Sequence, residues 1–185
     1  FSGPFVGRDE ELSLLENELS ASIRNGARRV SIRGEAGVGK SRLAYEFETA
    51  HPEIRFIDLQ ADTIQGRSFN PFVRLLRRFA QLGDQGDTES NRSGFEARVS
   101  ELALRRGDIL RRHRPDETPE AFAKRSIPPL GSLLGLSWPG SIFDKLDPKL
   151  RFENIITSIR GFLTLLAGGG PTVILLEDSH CLDED

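Results

Sequence analysis

The sequence predicts an α/β domain, a parallel sheet interrupted by a long and mostly helical insert. Three observations carry this. Apolar, β-branched runs at residues 29–33, 54–59 and 172–176 read as strands. A glycine-rich turn over residues 34–41 stands directly between the first strand and a helical pattern. Between residues 66 and 166 the apolar side chains recur at three- and four-residue steps, the period of helices.

Each element has its own signal. Residues 9–25 place Leu12, Leu15, Leu19 and Ile23 on one stripe, with Asp9, Glu10 and Glu11 at the positive end of the helix dipole and Gly26 as a stop. Val30 and Ile32 are the apolar residues of the first strand. Residues 40–50 set Leu43, Ala44 and Phe47 on one side of a helix that His51-Pro52 ends. Asn70-Pro71 puts a capping residue before a proline, and Phe72, Leu75, Leu76 and Phe79 form the face of a helix closed by Gly83. Residues 84–93 read as a polar loop, and residues 95–112 as one helix through Val99, Leu102 and Ile109. Thr118-Pro119 opens a short helix, and the apolar stretch 127–141 is broken by Pro128, Pro129, Gly131, Gly135, Pro139 and Gly140. Asp147-Pro148 repeats the cap signal ahead of Ile155, Ile159, Phe162 and Leu166, and glycines 168–170 end that helix. Residues 172–176 are apolar at nearly every position, as expected of a strand covered on both faces.

Composition narrows the function classes. A net charge of −3, from 25 basic and 28 acidic residues, does not suit a chain that coats nucleic acid. One Cys excludes a disulfide framework and a Cys-based zinc site. No apolar run reaches the ~20 residues of a membrane span, and residues 1–10 lack the pattern of a signal peptide. These features point to the cytoplasm. Arginines between residues 92 and 114 are interspersed with Glu96, Glu101 and Asp108 and have no aromatic platform, so they read as a solvated helix face; direct nucleic-acid binding is not expected.

The sharpest signal is Gly34-Glu35-Ala36-Gly37-Val38-Gly39-Lys40-Ser41, which matches G-x-x-x-x-G-K-[ST] between a strand and a helix. Glycines let backbone N–H groups close around phosphate, and the following helix offers its positive end. Lys40 supplies a compact charge to the β- and γ-phosphates, and the Ser41 hydroxyl is a ligand for Mg²⁺. A second signal is the run Val173 to Asp178, an apolar strand ending in Glu177 and Asp178, where acids project into the crevice at the strand ends.

Three blocks together resemble bacterial AAA-type and STAND P-loop ATPase domains, as in large ATP-binding LuxR-family regulators and beside class III adenylate cyclase domains. Phe5-Val6-Gly7-Arg8-Asp9-Glu10-Glu11-Leu12 is similar to their F-V-G-R-x-x-E-L opening. The phosphate loop with its trailing Arg42 is similar to their Walker A block. Glu177 to Asp183 resembles their E-D-x-H-W-x-D block, with Cys181 in place of Trp and His180 near the γ-phosphate region. The resemblance implies a three-layer P-loop sheet and ATP with Mg²⁺ as ligands. It places Phe5, Val6 and Gly7 at the adenine, braced by Arg8 and Glu11. It gives Mg²⁺ to Ser41 and Glu177, and the attacking water to Asp178. Most relatives carry Asp first in the acid pair, so which acid does which job stays open.

The resemblance also implies the surroundings. Residues 1–62 would hold the adenine segment, Walker A and the second strand; 63–166 the helical insert; 167–185 the Walker B strand and its loop. The family's usual order puts the phosphate-loop strand between two strands that follow Walker B. The expectation is therefore a domain truncated after Walker B, consistent with the absence of Met, and poorly folded and weak in ATP binding when isolated. Lid, effector and repeat domains would lie outside it, with oligomerisation on activation. The implied activity is slow ATP hydrolysis in a signalling or transcription-regulating ATPase, slow because no activating arginine is evident. Two alternatives are a non-hydrolysing nucleotide-binding module and an AAA+ ATPase that loads onto DNA.

Overall fold

The first helix, α1 (Asp9–Asn25), begins with three acids and ends at Gly26, whose φ of 93° a side chain would resist. Its leucine stripe is only half-buried and packs on α2 (Lys40–Ala50). The computed structural model describes residues 5–61, 69–82 and 88–178. In α2 the expected Leu43, Ala44 and Phe47 are buried. His51 ends the helix, its ring nitrogen hydrogen-bonded to the Phe47 carbonyl at 2.8 Å.

Two strands are present among the described residues, β1 (Arg55–Gln60) and β2 (Thr172–Glu177), paired in parallel with Ile57 opposite Ile174 and Gln60 opposite Glu177. Residues 29–33 form no strand, contrary to expectation: they join no ladder, and Val30 and Ile32 stay 41% and 38% exposed. A β conformation is stable only when neighbouring backbone groups take up its hydrogen bonds, and β1 and β2 bond to each other. Nor is β2 covered on both faces. Ile57 and Leu59 of β1 are buried in the helical core, while their register partners Ile174 and Leu176 are 50% and 40% exposed. The helices lie over β1, against which α3 packs, and leave β2's half of that face open.

The insert is helical, with different boundaries. In α3 (Asn70–Ala80), Asn70 is the first helical residue and not the cap; Phe69 caps in a left-handed conformation (φ 67°) with no side-chain hydrogen bond. Leu75 and Leu76 are buried, and Gln81 at φ 53° closes the helix; Gly83 lies outside the described residues. Helix α4 (Thr88–Arg105) begins inside the stretch expected to be loop, because Phe95, Val99 and Ala103 bury completely and the polar turns before them ride on the same helix. What was expected as one helix through residue 112 breaks at Arg106, and α5 (Gly107–His113) follows. A Cβ on Gly107 would meet Pro119 at 3.3 Å, a tight crossing that favours glycine there.

Helix α6 (Pro119–Ser132) is capped as predicted, Thr118 Oγ1 accepting from the Ala121 N–H at 3.2 Å. It runs through Pro128 and Pro129, where a break was expected. The packing of the helix on α4 and α7 offsets the hydrogen bonds that the two prolines cannot donate. The Trp138 ring lies directly on Gly131 of α6, and its indole N–H donates to Glu96. In α7 (Pro148–Ala167) Asp147 Oδ1 accepts from the Leu150 N–H at 2.9 Å, and Gly168 at φ 70° ends the helix. Its buried stripe is Ser158, Ile159, Phe162 and Leu165; the expected Ile155 and Leu166 are half-buried beside it. Leu76, Phe95, Val99, Leu130 and Phe162 form the core with Ile57 and Leu59 of β1, so the sheet and the helical insert share one interior. No helix among the described residues is long and apolar enough to cross a membrane.

Candidate functional site

The phosphate-loop sequence folds as a turn that glycine permits. Gly37 and Gly39 take φ of 81° and 91°, and Gly39 caps α2 from the left-handed region without any side-chain cap. The first turn of α2 therefore keeps its N–H groups for an anion, the property expected of such a loop. A Cβ on Gly34 would approach the Val38 side chain at 3.0 Å. Lys40 Nζ donates to the carbonyls of Gly34 (3.0 Å) and Glu35 (2.9 Å), closing the loop on itself. Ala36 and Val38 complete the turn, and Arg42 pairs with Glu46 one turn on, at 2.5 Å.

The opening segment reaches this loop through one side chain. Arg8 Nη2 donates to the Val38 carbonyl at 3.0 Å, and the same guanidinium pairs with Glu11. The hydrogen bond from Arg8, aided by a backbone hydrogen bond, holds the Glu11 carboxyl below its ordinary value. Gly7 turns the chain at φ 76°; Phe5 is half-buried and Val6 exposed.

At the end of β2, Glu177 and Ser41 line one pocket of about 530 Å³ around the carboxyl-terminal halves of both strands. These are the two residues expected to share a metal. Asp178 follows at φ 54°, exposed, in a conformation that Asp and Asn tolerate better than most residues. His180 and Cys181 lie outside the described residues.

The same pocket holds four charged residues that motif reading missed: Glu48, Asp58, Arg74 and Arg78. Burial, and then the negative charge of Asp58, raise the Glu48 carboxyl above its ordinary value. The signal was present as spacing, with Ser41, Tyr45 and Glu48 along one face of α2 and Arg74 and Arg78 one turn apart on α3.

This donor set fits a magnesium-bound nucleoside phosphate. Among the described residues no cluster of three or more His, Cys, Asp or Glu could hold a metal alone. Mg²⁺ needs no such cage, since it keeps waters and takes one or two protein oxygens besides phosphate. Three arginines between residues 92 and 114, by contrast, are drawn into local ion pairs. Arg92 meets Glu89 at 2.7 Å, Arg114 meets Glu117 at 3.6 Å and Arg105 meets Glu101 at 3.8 Å, an arrangement of a solvated face.

No curated protein and no solved structure matches the chain. A family model described as AAA ATPase domain matches residues 4–185, taking in the opening segment, the phosphate loop and the acid pair, and the chain belongs to that family.

Proposed function

We propose that this chain binds ATP with Mg²⁺ and hydrolyses it slowly, in the cytoplasm, as the nucleotide-controlled switch of a multidomain signalling or transcription-regulating ATPase. The observation that carries the reading is the shared pocket of Ser41 and Glu177 beside the loop that bears Lys40. Lys40 leaves the Gly34 and Glu35 carbonyls to meet phosphate oxygens, while the N–H groups of residues 34–41 cradle them. Ser41 and Glu177 hold the metal, directly or through its waters. Bound Mg²⁺ supplies charge neutralisation on the phosphates. Asp178 orients or polarises the attacking water, and Phe5, Val6 and Gly7 face the base while Arg8 fixes their loop. A three-layer arrangement of the sheet belongs to the same reading.

Calorimetric titration of the full chain with ATP and Mg²⁺ tests it. Binding should appear and should weaken roughly 10- to 100-fold in Lys40→Ala, the worth of a charge-assisted hydrogen bond. Equal affinity in the two proteins would remove the phosphate loop from the function. DNA binding that falls steeply with salt would instead favour a DNA-loading ATPase.

A further inference from the structure

We propose that Arg74 and Arg78 form the wall of the pocket that recognises the terminal phosphate, so that the site distinguishes nucleoside triphosphate from diphosphate. The inference rests on the nucleotide-binding reading and assigns a role to side chains that no motif covers.

The placement comes from α3. Leu75, Leu76 and Ala80 bury into the core, fixing the helix against β1, and the residues one turn apart at 74 and 78 turn toward the pocket. Each guanidinium is held by a neutral oxygen. Arg74 Nη1 donates to the Gln60 side-chain carbonyl at 2.7 Å, and Arg78 Nη2 donates to the Asp58 backbone carbonyl at 3.0 Å. Orientation is thereby fixed, and among the described residues no carboxylate cancels either charge in a direct pair. A guanidinium has five N–H donors, so one bond leaves several for an anion.

The anchor also gives location. Gln60 is the register partner of Glu177, and adjacent strands lie about 4.8 Å apart. Arg74 is thus tethered one strand away from the acid expected at the metal, and Ser41 lines the same pocket. An anion entering there faces the carboxylates of Glu48, Asp58 and Glu177, which repel it. Two fixed cations offset that repulsion, and on the proposed reading they meet the charge beyond the first two phosphates. The diphosphate carries no group at that point and gains nothing from them.

Full-chain protein should be titrated, in the presence of Mg²⁺, with ADP and with a non-hydrolysable ATP analogue. In Arg74→Ala the analogue should bind about 10-fold or more weaker while ADP stays within about twofold, and Arg78→Ala should show a smaller loss of the same kind. Gln60→Ala keeps the charge but frees it, and should lower the analogue-to-ADP preference by less than Arg74→Ala does. Arg74 is exposed, and circular dichroism should show unchanged helix content and melting in each variant. The Lys40→Ala protein separates the two ideas. If it loses both nucleotides while Arg74→Ala loses neither, or loses both equally, nucleotide binding stands and the arginine assignment falls. If unaltered protein binds neither nucleotide, both fall together.

Discussion

Arg8 donates to the carbonyl of Val38 at 3.0 Å across thirty residues of sequence, joining the segment before α1 to the phosphate loop. The contact is made to a backbone oxygen in the middle of the loop, so it bears on loop shape. Arg8→Ala should weaken magnesium-ATP binding about 3- to 10-fold, the range of a single net hydrogen bond, without changing helix content. Isothermal titration with parallel circular dichroism measures both. Glu11 holds Arg8 from the other side, and its lowered carboxyl means the pair is intact above that value and released as pH falls through it.

The two acids at the end of β2 should separate by chemistry. Glu177→Gln should shift the magnesium concentration needed for nucleotide binding upward. Asp178→Asn should leave binding unchanged and abolish phosphate release. Asn is the right replacement because Asp178 sits at φ 54°, where alanine would add backbone strain of about 1 kcal/mol and blur the comparison. Phosphate release that persists in Asp178→Asn would move the water-positioning role elsewhere.

Glu48 should make the fold less stable as pH rises. Its carboxyl is raised by burial and by Asp58, so the folded state holds the proton more tightly than the unfolded chain does. Stability is therefore lost as pH climbs from the ordinary glutamate value through the raised one. Glu48→Gln should be more stable than the unaltered protein near neutral pH, and the difference should close below about pH 4, where both side chains are uncharged. Urea midpoints at the two pH values give the comparison.

Two buried hydroxyls, Ser126 on α6 and Ser158 on α7, have no hydrogen-bond partner among the described residues. Replacing Ser126 by Ala removes an unpaired polar group at little cost in volume and should stabilise the protein by about 1 kcal/mol in denaturant unfolding. Gly161→Ala should do the reverse, because the new methyl would come within 2.5 Å of the Phe122 ring.

How far the sequence spoke depended on the range of the interaction. Local signals were legible: the caps at Thr118 and Asp147, the stop at Gly168, the glycine turn before Lys40 and the buried face of α2. The phosphate loop and the acid pair could be read for the same reason, since each is one continuous stretch. Asn70 was misread as a cap because a left-handed Phe69 performs the turn, which no local rule favours. Pro128 and Pro129 were read as breakers because only the neighbouring helices α4 and α7 justify carrying α6 past them. Residues 29–33 looked like a strand by composition, yet strand formation depends on a partner elsewhere in the chain. Arg74 was invisible for that same reason, since its place in the pocket depends on Gln60 and on the register of β1 with β2.

Helix α3 belongs to two neighbourhoods at once. Leu76 is almost wholly enclosed by the insert, and two residues earlier in the chain Arg74 lines the pocket that also holds Ser41 and Glu177. Interiors packed this densely do not flex around one moving side chain; they shift as bodies. A force applied at Arg74 is therefore delivered to Phe95, Leu130 and Phe162 as displacement of a rigid rod. On the function proposed above, the packed helices α3, α4, α6 and α7 would thus act as the load on a lever whose short arm lies at the phosphates.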